Sequence, residues 1–167
     1  MQINFSFAIL RCIHYECVKT DGVNVDDVQR TALFFKYIEE KDFDKLSKLL
    51  SSDFKYYGPV PDSFDQEVWL SFQKAVQHAF PDWAYNLKKI EKLSDSVEAI
   101  VQITGTHLNA LALPLPNLKP IPPTGTQIRL PEEKATFKFK DGKVSEFRVH
   151  STLHGGLPGL LGQLRVE

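Results

Sequence analysis

The stretch KATFKFKDGKVSEFRVHS, Lys134–Ser151, constrains the fold more than any other. Asp141-Gly142 splits it into two alternating runs, and both residues tolerate the positive φ that a type I′ hairpin turn demands. Folding about that turn pairs Lys140 with Lys143, Phe139 with Val144, Phe137 with Glu146, Ala135 with Arg148 and Glu133 with His150. Cross-strand partners share a face. One face then holds Lys134, Thr136, Lys138, Lys140, Lys143 and Ser145, and suits water. The other holds Phe137, Phe139 and Val144 near the turn, with Glu133, Glu146, Arg148 and His150 farther out. Ionisable groups on an apolar face are costly unless they are paired or face a cavity. That cluster is the main functional signal. It rests on an unbroken register, because one β-bulge reverses the parity of everything beyond it.

The segments before the hairpin supply helices and further strands. Val25–Glu40 reads as a helix capped by Asn24 or Asp26, with Val28, Ala32 and Phe35 in a 3.6-residue stripe and Leu33 and Ile38 beside it. Asp42 caps a short second helix with Phe43, Leu46, Leu49 and Leu50 inward. A strand over Asp53–Tyr57 ends at Gly58-Pro59. Ser63 and Gln66 form a capping box that opens a third helix, running to about Ala79. Trp69, Phe72 and Val76 share its inner face, while Lys74, Gln77 and His78 form its solvated side. Trp83, Tyr85 and Leu87 alternate as in a strand. Ser94–Ser96 is a turn. The strand Val97–His107 faces Ala99, Val101, Ile103, Gly105 and His107 inward. Leu108–Gly125 is too rich in proline for a central strand and too rich in leucine for a plain solvent loop; it reads as a lid or as an arm gripping a second subunit. Thr126–Leu130 and Glu133–Lys140 form a strand interrupted at Pro131. Gly155, Gly156, Pro158 and Gly159 loosen the tail. Helices followed by antiparallel strands mean an α+β fold, a curved and mostly antiparallel sheet wrapped around three N-terminal helices.

Bulk properties narrow the function. The 167 residues suit one domain, read as residues 23–167 after an N-terminal extension over residues 1–22. The formal net charge of −1 gives no electrostatic footprint for nucleic acid. No run approaches the ~18 apolar residues of a membrane span. The two cysteines, Cys12 and Cys17, have no metal-like spacing to histidine and fit a reducing cytoplasm. No phosphate loop, dinucleotide fingerprint, nucleophile elbow or metal-ligand cluster occurs, so the chain is expected to use no cofactor and no metal.

Five motifs, in order, are Phe80-Pro81-Asp82, Gly105-Thr106-His107, Pro122-Pro123-Thr124-Gly125, Asp141-Gly142-Lys143-Val144 and Leu160-Leu161-Gly162-Gln163-Leu164. With the helix–helix–strand–helix–sheet order, they resemble the nuclear transport factor 2-like superfamily, and within it the SnoaL-like polyketide cyclase branch related to ketosteroid isomerase. The resemblance covers about Val25 to Leu164. It implies a cone-shaped α+β barrel, a small apolar ligand in the cone and a homodimer through the outer face of the sheet. Family cyclases place an aspartate near the end of the last strand. Here that neighbourhood reads Arg148-Val149-His150-Ser151-Thr152, which leaves His150 in the aspartate's role.

The expected activity is cofactor-independent proton transfer on a small apolar ketone or enol, of cyclase, isomerase or dehydratase type. His150 is the candidate base and Glu133 its orienting partner. His107, Tyr57 or Arg148 would stabilise developing oxygen charge. Glu146 and Arg148 are candidate ligand-binding groups, and Trp69, Phe72, Phe80 and Trp83 are pocket wall or core. The alternative is a non-catalytic small-molecule binder or dimeric scaffold of the same fold.

Overall fold

The computed structural model describes residues 26–165. The expectations for the extension of residues 1–22, including Cys12 and Cys17, lie outside the described residues. Helix α1 (Asp27–Glu39) opens on a capping box, with Asp26 accepting from Gln29 N–H at 2.8 Å and the Gln29 side chain accepting from Asp26 N–H. Asp42 caps α2 (Phe43–Leu49), which runs directly into β1 (Leu50–Tyr57). Helix α3 (Gln66–Ala79) is capped by Asp65, whose carboxylate accepts from Val68 N–H at 3.0 Å. This corrects the expected Ser63–Gln66 box. Ser63 instead precedes Phe64, whose backbone bridges Tyr56 and so holds that segment extended.

The strands β2 (Lys89–Lys92), β3 (Val97–Thr106), β4 (Gln127–Lys140) and β5 (Lys143–Val149) join β1 in one curved, open sheet of order β1-β5-β4-β3-β2. Among the described strands only β1 and β5 pair in parallel. Trp83–Leu87 is not a regular strand. A bridge from Ala84 to Thr104 holds it to β3, and the positive φ of Asn86 breaks its continuation.

The sheet wraps an aromatic core. Phe34 of α1 packs on Trp69 of α3, Phe137 of β4 and Phe147 of β5 at ring separations of 5.2, 5.0 and 5.0 Å. Phe137 and Phe147 stack at 4.8 Å. All four side chains are buried.

Two bulges set the register. Near the hairpin the expectation holds, with Lys140 opposite Lys143 and Phe139 opposite Val144. The next pair is Lys138 with Glu146, so Ser145 is an extra residue on β5. Beyond it Phe137 faces Phe147 and Ala135 faces Val149, not Glu146 and Arg148. Parity reverses: Phe147 turns inward, and Glu146, Arg148 and His150 turn outward. The second bulge keeps β4 continuous through Pro131. Gln102 lies opposite Glu132 and Thr104 opposite Arg129, which leaves one extra residue at Leu130-Pro131. A bulge suits a proline, which has no N–H for the ladder. It also lets Leu130 and Glu133 both point inward.

The tail is more ordered than its composition suggests. Gly156–Gln163 forms helix α4, with Pro158 in the first turn where no donor is needed. Leu160 and Leu164 are buried. The Gln163 amide acts like a strand partner, accepting from Arg129 N–H at 2.9 Å and donating to Arg129 C=O at 2.8 Å.

The reassigned cap is directly testable by urea unfolding. Asp65→Ala should lose about 1 kcal/mol, the usual worth of an N-cap, while Ser63→Ala should change stability by less than about 0.5 kcal/mol.

Candidate active site

A chamber of about 60 Å³ lies between the inner face of the sheet, α3 and the first turn of α4. Phe72, Val76, Ile103, Leu130, Phe147 and Leu160 give it apolar walls. Its polar groups are Glu133, Tyr56, Tyr85, Gln73 and Trp83.

Glu133 is the chemical centre of this chamber. The Pro131 bulge aims it inward from β4, and it is only 1 % exposed. Neither carboxyl oxygen makes a hydrogen bond of normal geometry among the described residues, although the Gly156 backbone lies near enough to favour the charged form. An unpaired carboxylate in an apolar setting is strongly disfavoured, so burial pushes the Glu133 pKa up, with the Gly156 backbone opposing it. The chain makes room for the carboxyl: a Cβ on Gly155 would sit 2.5 Å from Glu133 Oε1.

Neutral donors surround it. Tyr85 donates its backbone N–H to Glu39 Oε1 at 3.0 Å and its hydroxyl to Gln73 Oε1 at 3.2 Å. Burial raises the Tyr85 and Tyr56 hydroxyls far above the ordinary phenol range, and the nearby Glu133 adds to this. Both therefore keep their protons at neutral pH. Trp83 Nε1 is buried and makes no hydrogen bond of normal geometry among the described residues. A carboxyl of raised pKa beside neutral phenols and an indole N–H can exchange a proton with a carbon acid and stabilise an enolate oxygen.

The structure separates residues that the unbulged register groups together. Glu133 is inside, as expected, but His150 is exposed on the outer face, where Nε2 pairs with Thr136 Oγ1. The Glu133–His150 pair does not form, because the Ser145 bulge lies between the turn and His150. The same bulge takes Glu146 and Arg148 outside, where Arg148 Nε donates to Glu146 Oε1 at 3.1 Å and the guanidinium lies 4.1 Å from the Tyr57 ring. Tyr57 is likewise outside, and Tyr56 takes the inner position. Phe72 and Trp83 line the chamber, whereas Trp69 and Phe80 are buried in the surrounding core.

His107 is fully buried but does not line the chamber. It stacks on Phe80 at 5.0 Å, and its Nδ1 accepts from Thr124 N–H at 3.3 Å. Nδ1 also lies 3.0 Å from Thr124 Oγ1, and Nε2 has no hydrogen-bond partner among the described residues. Burial lowers its pKa. Next to it, Asp82 accepts from Thr106 N–H and Oγ1 at 2.6 and 2.7 Å. A Cβ on Gly105 would press on Phe80 and Trp83 at 3.3 and 3.4 Å. The Phe80-Pro81-Asp82, Gly105-Thr106-His107 and Thr124-Gly125 motifs thus form one joint that fixes Trp83 at the chamber wall. No residue of the proline-rich loop lines the chamber; Leu108 and Asn109 N–H instead bond to Ala79 C=O at the end of α3.

Sequence reasoning missed Tyr56, Tyr85 and Gln73 as chamber groups. The signals were present. Tyr56 alternates with the buried Phe54, and Tyr85 with Trp83. Gln73 lies four residues after Trp69 and three before Val76, on the buried stripe of α3. Gln77 is also buried rather than solvated, donating to Ile38 C=O at 2.7 Å.

The raised pKa of Glu133 sets a pH signature. The folded chain binds this proton more tightly than the unfolded chain. The stability Glu133 contributes is full below its ordinary value of 4.5 and is lost as pH rises through the folded value. Glu133→Gln cannot ionise, so its stability should gain on the wild type between pH 4.5 and neutrality. Urea titrations at a series of pH values measure this. A difference that does not vary with pH would contradict the buried carboxyl of raised pKa.

Solved structures that share the fold include the following three. A SnoaL-like candidate polyketide cyclase from Jannaschia sp. CCS1 aligns at TM-score 0.66 with 15% identity, covering 88% of this chain and 99% of the other. IdmH, a candidate polyketide cyclase from Streptomyces antibioticus, aligns at 0.63 with 21% identity, over 84% and 100%. AclR, a candidate hydroxylase from Streptomyces galilaeus, aligns at 0.63 with 21% identity, over 84% of each chain. At these identities the likeness is one of fold. No curated protein matches the sequence. Residues 32–147 match the model of the SnoaL-like domain, and with that match and the α+β cone the chain belongs to the SnoaL-like family of the nuclear transport factor 2-like superfamily.

Proposed function

We propose that this protein is a cofactor-independent proton-transfer enzyme of cyclase or isomerase type, acting on a ketone or enol with Glu133 as acid and base. The observation that carries the reading is the inward Glu133 carboxyl, buried among neutral donors without a hydrogen bond of normal geometry. A carboxyl with no hydrogen bond of normal geometry does little for stability where it stands, whereas a carbon acid in the chamber would meet a base of raised proton affinity. Tyr56 and Trp83 would donate to the enolate oxygen. Glu133, not the exposed His150, would be the base, and it needs no histidine beside it because burial raises its pKa.

The test is solvent exchange of the α-protons of acetophenone in D₂O, followed by proton NMR. The wild type should exchange them faster than buffer. Glu133→Gln should lose about 10²–10⁴-fold of that rate, the usual worth of a positioned general base, with its circular dichroism unchanged. Exchange at the wild-type rate in Glu133→Gln would refute the assignment. Acetophenone binding with no exchange by the wild type would favour a carrier of the same fold.

A further inference from the structure

The chamber is too small for the ligand of a ring-forming or isomerising enzyme. About 60 Å³ is well below the roughly 300–1,000 Å³ of small-molecule sites. A second cavity of about 360 Å³ lies outside, between the Gly58–Ser63 segment and the end of β5. Val60 and Val149 line both spaces. The two spaces therefore adjoin at these two valines. Pro59 rests on α4, where a Cβ on Gly156 would clash with it at 2.1 Å.

The outer cavity has a different chemistry. Arg148, Tyr57, His150, Ser63 and Ser151 line it. Arg148 is held in place by its bond to Glu146 and its stacking on Tyr57, and its Nη groups make no hydrogen bond among the described residues. A fixed guanidinium with a free fork matches a carboxylate. Glu146 is shared between Arg148 and Lys138, at 3.1 and 3.7 Å, so it does not cancel the guanidinium by itself.

We infer that chamber and cavity are two compartments of one site, and that the ligand is a keto acid. Its ketone lies at Glu133, its body passes between Val60 and Val149, and its carboxylate binds Arg148. This deepens the proton-transfer reading above and rests on it. The Ser145 bulge that takes Arg148 off the inner face is what places it at the outer end of the ligand.

The probes are para-acetylbenzoate, whose ketone and carboxylate are one ring apart, and its methyl ester. Binding is measured by calorimetry and α-proton exchange by NMR. In Arg148→Gln the dissociation constant for the acid should rise at least about tenfold, equivalent to about 1.4 kcal/mol, while that of the ester changes less than threefold. Val60→Phe, which plugs the junction, should abolish binding of both; Val149→Phe serves as a second plug if the first lowers the melting temperature. Equal effects of Arg148→Gln on acid and ester would overturn the two-compartment site, as would full binding by both plugged variants or no binding of either probe to the wild type. Loss of exchange in Glu133→Gln would still uphold the proton-transfer reading if Arg148 proved indifferent to the carboxylate. Conversely, acid selection by Arg148 without any exchange would sink that reading and leave the binding site standing.

Discussion

Phe147 is the residue on which the arrangement depends. It stacks on Phe137 and meets Phe34, Trp69 and Tyr56, so it joins β5 to β4, α1, α3 and β1. A straight register from the Asp141-Gly142 turn would send it to solvent and bury Glu146 and Arg148. Burying a Phe contributes roughly 1.5–3 kcal/mol, and each aromatic pair about 0.5–1.5 more. Burying unpaired charges costs several kcal/mol each. Both terms favour one extra residue at Ser145, and a local break in the ladder is a small opposing cost. The outer-face positions of Glu146, Arg148 and His150 follow from where Phe147 must go.

That competition explains what was legible in the sequence. Periodicity sufficed for α1, α2, α3 and the inward face of β4, and local caps for α1 and α2, because those depend on neighbours a few residues away. The hairpin turn and its first two pairs were legible for the same reason. The β5 parity was not, because Ser145 carries no local mark of a bulge. What selects it is the room for Phe147 among Phe34, Trp69 and Phe137, which come from three other elements. Helix α4 was hidden by its glycines. Its stability comes from Leu160 and Leu164 in the core and from the Gln163 clasp on Arg129, not from helix propensity.

The family motifs marked structure more than chemistry. Phe80, Asp82, Gly105, Thr106, His107 and Thr124 meet in one joint and satisfy each other's stacking and hydrogen bonds. Such a joint is tightly constrained by geometry, so its residues stand out as a pattern. The chamber groups are spread singly over β1, α3, the Trp83–Tyr85 segment and β4. Each looks like an ordinary core residue where it stands, and only the folded sheet brings them together. His107 lies on the interior phase of its strand, where it meets Phe80 and Thr124 instead of the chamber.

Glu133 is placed by the same device that displaces His150. Each bulge adds one residue to one strand. The one at Leu130-Pro131 keeps Leu130 and Glu133 on the same face, although three positions apart they would otherwise alternate. The one at Ser145 turns three polar residues away from that face. The inner surface is left with a single carboxyl, and Gly155 leaves the space it needs. A lone buried acid costs stability at neutral pH, and an apolar residue of similar size would remove that cost. A fold that needed only to be stable would be better served by leucine at residue 133. Under the proposed function a ligand in the chamber would complete the carboxyl's environment and take or give its proton, which is what leucine could not do.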